Sequence, residues 1–249
     1  MKTHLFASLA LLPSMVLAAP TYLITDLGPA SDGALQWADP IPCEPSSGVM
    51  ACGGSRTMEV GAVKLTAPNI QHGAIVSFSP ALDLGALPGS VYSTTSGANN
   101  LGMIVGMNGP VYPAATNSSF AVSWTLSPGG TVGAGPWLIH DLGNLMHSPY
   151  FSAGAYAVND FNEIVGFSQV LSSDGTIIER AAIWVNGAIY KLQDQATNNL
   201  HPQNVALTSA VWINCQGNIA AIGFPYAMPN SVHFYLLTRQ GVTRACPLN

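Results

Sequence analysis

Charge is what this chain has least of. Only 8% of its 249 residues are Asp, Glu, Lys or Arg, against about 25% in an average soluble protein. Seven Lys and Arg in total cannot build the basic footprint that nucleic-acid binding requires. A net charge of −5 gives no attraction to anionic lipid either. The signatures of common sites are also missing. There is no Gly-x-Ser-x-Gly elbow, no phosphate loop ending in Gly-Lys-Ser/Thr, no His-Glu-x-x-His metal pair and no Cys-x-x-Cys redox pair. Nor does any apolar run beyond the N-terminus approach the roughly 20 residues that span a bilayer, so no stable membrane insertion is expected. Mean hydropathy is nonetheless +0.31. That apolar content must go into a core.

What is present begins with the first eighteen residues. Lys2 and His4 form a short polar start, an apolar run covers Leu5 to Leu17, and Val16-Leu17-Ala18 closes it with small residues at the third and first positions. This is the layout of a secretory signal peptide, predicted as 1–18 with cleavage after Ala18. The expectation is therefore an exported chain, extracellular or periplasmic in a bacterium, with 19–249 as one domain. Cys43, Cys52, Cys215 and Cys246 are then expected to be bridged. Three connectivities exist, and 43–52 with 215–246 is favoured because each closes a local loop.

The strongest signal is internal repetition. Asp-Leu-Gly occurs at Asp26-Leu27-Gly28, Asp83-Leu84-Gly85 and Asp141-Leu142-Gly143. Asn99-Asn100-Leu101-Gly102-Met103-Ile104-Val105-Gly106 returns as Asn159-Asp160-Phe161-Asn162-Glu163-Ile164-Val165-Gly166, and more weakly at Asn214-Cys215-Gln216-Gly217-Asn218-Ile219-Ala220-Ala221. A short apolar run ending in an aromatic follows, as in Ala121-Val122-Ser123-Trp124 and Ala181-Ala182-Ile183-Trp184. Gly and Asn tolerate the positive φ of a tight hairpin turn, and Ile-Val pairs suit strands. The segments Trp137-Leu138-Ile139 and Ala188–Leu192 supply further strands, so each unit reads as four short antiparallel strands. The units are 22–83, 84–140, 141–194 and 195–249. The last is expected to end in its own strand, Gly241–Cys246, and Tyr22–Leu27 is one strand beyond the four units. A single such sheet cannot cover both of its faces; stacked copies can. The expected fold class is all-β, a small four- to five-bladed β-propeller, with an open twisted β-repeat stack or sandwich as the alternative.

The order of these motifs resembles the extracellular HAF-repeat family, named for a His-Ala-Phe triplet, over nearly all of the exported chain. No intact triplet is present, and His233-Phe234-Tyr235 is its nearest approach. The resemblance implies an exported, propeller-like β architecture.

The candidates for chemistry are few. Asp160, Glu163, Asp174 and Glu179 cluster in the third unit, and His140 and His147 flank one Asp-Leu-Gly turn. The Asp of each Asp-Leu-Gly recurs at equivalent positions, which marks a turn residue rather than a catalyst. Trp124 and Trp184 share a repeat position and are expected in the core, while Trp37 could stack on a sugar or a partner surface. No catalytic residue, metal ligand or cofactor is assigned. The functional expectation is a non-enzymatic secreted binding or surface-interaction module, with a glycan or protein surface as extracellular ligand, contacted by loops at one end of the array. Self-association fits the low charge. The alternative is a carbohydrate-active hydrolase or lyase on the same scaffold, using third-unit carboxylates or the turn histidines.

Overall fold

The computed structural model describes residues 19–29, 49–54, 58–64, 70–109, 118–133, 135–197, 204–241 and 244–246, with backbone alone at 49–54 and 64. The chain is all-β, with four antiparallel four-stranded sheets. The first sheet holds β2 (Val49–Gly54), β3 (Glu59–Lys64), β4 (Gln71–Ile75) and β5 (Leu82–Asp83) in that order. The second holds β6 (Ser93–Ala98), β7 (Ile104–Asn108), β8 (Phe120–Leu126) and β9 (Trp137–Asp141). The third holds β10 (Ala153–Val158), β11 (Ile164–Leu171), β12 (Ile177–Val185) and β13 (Ala188–Lys191), followed by a 3-10 turn at Leu192–Gln195. The fourth is β14 (Val205–Ile213), β15 (Ile219–Pro225) and β16 (His233–Arg239), completed by the N-terminal β1 (Tyr22–Pro29).

The repeat is physical as well as textual. In three units the turn Asn closes the same loop: its N–H donates to the carbonyl four residues on, and its own carbonyl accepts from the third residue on. That third residue is left-handed each time, with φ of 86° at Gly102, 58° at Asn162 and 84° at Gly217. Asn replaces Gly at 162 because it is the residue that bears this conformation next best. The following hairpins share register, with Ile104 opposite Trp124, Ile164 opposite Trp184 and Ile219 opposite Leu237. They also share a bulge on the first strand, between Thr95 and Gly97, Ala155 and Ala157, and Ala210 and Trp212. The bulge aims a carbonyl at the middle strand. A Cβ at Gly106 would lie 2.0 Å from Thr94 O, and one at Gly166 would lie 1.9 Å from Gly154 O, so glycine is obligatory there.

Asp-Leu-Gly turns are fixed in the same way, each Asp Oδ1 accepting the Gly N–H at 2.7–2.8 Å. They also join neighbouring sheets. Trp124 Nε1 donates to Leu84 O at 3.0 Å and Trp184 Nε1 to Gly143 O at 3.4 Å. Both tryptophans are buried as expected.

Three apolar cores hold the sheets together, between first and second, second and third, and third and fourth. Among the described residues no core joins fourth to first. Leucines of the repeated turn show the consequence. Leu84 is buried between first and second sheets, and Leu142 packs between second and third, whereas Leu27, on the edge strand of the fourth sheet, is 62% exposed. One expectation is corrected here. The fourth strand of the last sheet is Tyr22–Pro29, paired antiparallel with β16, and not Gly241–Cys246. Residues 244–246 lie outside any strand, because Cys246 is tied to Cys215 in the β14–β15 turn and β1 already occupies the edge of β16.

Candidate functional site

First strands β6, β10 and β14 each lie against the preceding sheet, so the turns that follow them gather at one end of the array. Their asparagines are linked from unit to unit. Asn99 Nδ2 donates to Asn159 O at 2.9 Å, and Asn159 Nδ2 donates to Asn214 O at 3.1 Å. Each Asn Oδ1 meanwhile accepts backbone N–H groups of its own turn. A second rung joins Asn100 to Asp160, whose carboxylate accepts the Asn100 N–H at 2.8 Å and its Nδ2 at 3.0 Å.

This ladder is the floor of a shallow, solvent-open pocket of about 350 Å³, toward the small end of the ~300–1,000 Å³ typical of ligand sites. Its polar lining comes from Asn99, Asn100, Asn159, Asp160 and Asn214, with Trp212 as the aromatic wall. Trp212 is 53% exposed. By bulge register it stands where the second sheet has Gly97 and the third has Ala157. A Cβ at Gly97 would lie 3.1 Å from Tyr156 O of the next sheet, so the position is small where another sheet follows. Trp212 sits in the last sheet of the series.

Beside the pocket, Glu163 is 1% exposed. Its Oε1 accepts from Arg239 Nη1 at 2.5 Å and lies 2.9 Å from Arg244 Nη1, while Oε2 accepts from Asn159 Nδ2 at 2.9 Å. The Arg244 guanidinium stacks 4.7 Å from the Phe161 ring centre, and the Cys215–Cys246 disulfide, with a Cα separation of 5.4 Å, pins the same segment. This is a clamp for the C-terminal strand and tail, with both carboxylate oxygens engaged.

The third-unit carboxylates do not converge. Asp160 lines the pocket and Glu163 is consumed by the two arginines. Asp174 is at the tip of the β11–β12 hairpin, exposed, where hydrogen bonds from Ser172 and Thr176 lower its carboxyl to about 2. Glu179 lies along β12, and burial raises its carboxyl above the ordinary value. His140 Nε2 meets Thr125 Oγ1 at 3.0 Å, and His147 sits in a turn at φ 49°; no interaction joins the two histidines among the described residues. A second, less open cavity of about 380 Å³ between second and third sheets is lined by Met103, Leu142, Phe161 and Trp184 together with Ser123, Asp141, Asn162 and Asn186. Among the described residues no three His, Cys, Asp or Glu side chains gather to hold a metal ion. Likewise among them, no helix is long and apolar enough to cross a membrane. Cys43, the 1–18 segment and Trp37 lie outside the described residues, and of Cys52 only the backbone, in β2, is described, so the expected Cys43–Cys52 pair falls outside as well.

One constellation escaped the sequence. His233 Nδ1 lies 2.8 Å from both Asp26 oxygens, and its Nε2 is 3.1 Å from Ser231 Oγ. The order is that of a serine hydrolase, but the imidazole is buried and the pair recurs in the first sheet, where His72 Nδ1 lies 3.0 Å from Asp83 Oδ1. Repetition marks it as a clamp from third to fourth strand. The Asp of Asp-Leu-Gly and a histidine on the adjacent strand thus form one structural device.

Comparison with known proteins adds no assignment: no family model, curated protein or solved structure matches this chain.

Proposed function

We propose that this chain is a non-enzymatic, exported binding module of the HAF-repeat type, with ligand contacts made by the Asn turns at one end of the array. The observation that supports it is the gathering of three turns around one open pocket with an exposed tryptophan, while the third-unit carboxylates are dispersed or already paired. Repeated backbone turns hold the floor rigid, so a ligand meets a preformed surface and little ordering cost is incurred on binding. The Cys215–Cys246 bridge suits an oxidising compartment.

Purified protein is incubated with immobilised extracellular glycans and secreted-protein fractions, and bound and turned-over material are both measured. Retention without product is expected, and it should be lost in an N100A/W212A double variant whose thermal midpoint is unchanged. Retention indifferent to that variant, or turnover of a glycan, peptide or ester that one substitution abolishes, overturns the proposal.

A further inference from the structure

Resting on the binding-module reading above, we infer that the ligand is a neutral saccharide that stacks a C–H face on the Trp212 indole and takes hydroxyl contacts from Asn100, Asp160 and Asn214.

Three features of the pocket select this class. The first is charge. Among the described residues no Lys or Arg lines the pocket, and the ionisable side chain that does, Asp160, is acidic; an anionic ligand would meet an uncompensated carboxylate and no counter-charge. The second is the inventory of unused polar atoms. Asp160 spends one acceptor site of each oxygen on Asn100, and a carboxylate has about four such sites. Asn214 Oδ1 accepts from Asn218 N at 2.8 Å, and its Nδ2, which in Asn99 and Asn159 donates to the next unit, has no partner among the described residues. Asn100 is exposed and points its amide to the same floor. Donors and acceptors side by side on a fixed backbone match the paired, bifunctional hydroxyls of a sugar. The third feature is the wall. A half-exposed indole beside Ala98, Val158 and Ile213 provides an apolar strip next to the polar floor, and a pyranose has that same division between its C–H face and its hydroxyl edge. Tryptophan is an anchor of this kind because its large rigid face costs little side-chain entropy on contact.

The position of Trp212 supports a ligand over a packing role. Its repeat equivalents Gly97 and Ala157 are small where a following sheet covers them, so a large side chain at the uncovered end is not demanded by the core. A quaternary ammonium would also favour an aromatic face beside a carboxylate, but a single wall makes no cage, and Asp160 is already shared with Asn100.

The test uses the full exported chain. Neutral gluco-, galacto- and manno-configured oligosaccharides, uronic-acid oligosaccharides and phosphocholine are titrated separately, with intrinsic tryptophan fluorescence and calorimetry as readouts. Binding of at least one neutral oligosaccharide is expected. W212A should weaken it about tenfold or more, W212F should retain part of it, and D160N should weaken it less than W212A; R180A, distant on β12, should leave it unchanged. Equal thermal midpoints for the variants show that folding is intact. Binding of uronic acids or phosphocholine in preference to every neutral sugar overturns the ligand class. Loss of binding in N100A/W212A for a protein ligand, with no sugar bound, overturns this inference while leaving the binding-module reading in place. Binding of any ligand unaffected by all pocket variants overturns both.

Discussion

At the scale of single residues, the fold depends on groups that leave their neighbours no choice. Gly166 is one. Its missing side chain makes room for Gly154 O, which a Cβ would approach to 1.9 Å. Backbone cannot yield as a flexible side chain does, so Gly166→Ala is expected to cost about 3 kcal/mol or more, read as a lower urea midpoint. Gly133→Ala, where the new atom would meet Phe78 at an ordinary 3.5 Å, is the control and should change stability by less than about 1 kcal/mol. Two tyrosines make the opposite case. The phenols of Tyr22 and Tyr235 are buried and have no hydrogen-bond partner among the described residues. Burial drives both pKa values well above the ordinary 10.0; Arg239 and Arg244 pull Tyr22 back in part, and Asp26 pushes Tyr235 further up. A raised folded-state pKa means that the native protein holds its proton longer than the unfolded chain. This contribution to stability is complete below pH 10 and declines as pH rises beyond it. Thermal midpoints should therefore fall above about pH 10, and Tyr22→Phe with Tyr235→Phe should flatten that fall. At pH 7 each change should be neutral or stabilising by about 1 kcal/mol, since an unpaired buried hydroxyl is removed. A loss of several kcal/mol at pH 7 would show that the hydroxyls are bonded after all.

Among the elements, the C-terminal tail is the one held by chemistry rather than by a sheet. Cys246 and Cys215 are 31 residues apart in sequence, and closing a loop of that length stabilises by about 3–4 kcal/mol in the chain-entropy view. A C215A/C246A variant, or reduction of the native protein, should lower the thermal midpoint by about 6–16 °C at about 2–4 °C per kcal/mol; an unchanged midpoint would make the bridge incidental. This local bridge was legible in the sequence, because pairing two cysteines of the last unit closes a local loop. So were the Asn turns, the buried Trp124 and Trp184, and β9 and β13, because Gly, Asn and β-branched residues act through local backbone preference. The ladder from Asn99 through Asn159 to Asn214 was not, since its bonds cross some 60 residues and depend on how sheets stack. Trp212 was hidden for a related reason: only the bulge between Ala210 and Trp212 brings it into line with Gly97 and Ala157. The pairing of His233 with Asp26, 207 residues apart, needed β1 to be placed on β16. That placement is also why Gly241–Cys246 misled: it stands where the repeat would put a fourth strand, but β1 already holds that edge of β16.

For the molecule as a whole, the decisive fact is that β1 and β16, from opposite ends of the chain, share one sheet while, among the described residues, three cores serve four sheets. Pairing β1 with β16 links the start of the chain to its last unit, as a ring of blades requires. Burial says where the packing stops. Leucines at the second position of Asp-Leu-Gly stand against the sheet that follows, so Leu84 is 6% exposed and Leu27 is 62% exposed. If the fourth sheet faces solvent there, the two residues differ in energy as they differ in burial. Leu84→Ala should cost about 2–5 kcal/mol from lost transfer and a residual cavity, whereas Leu27→Ala should change stability by no more than about 0.5 kcal/mol. Urea denaturation of the two variants beside the parent protein measures both. Equal, large losses would mean that the first sheet closes against the fourth in solution and that the array is a complete ring. A small loss at Leu27 keeps the array open there, and the same reasoning then carries to Leu23, 40% exposed on the same strand. Like Leu27 it is a large apolar side chain left exposed on the edge strand of its sheet. Sedimentation at rising concentration should then show association of the parent chain that Leu27→Asp suppresses, which ties self-association to the face of the fourth sheet that no other sheet covers among the described residues.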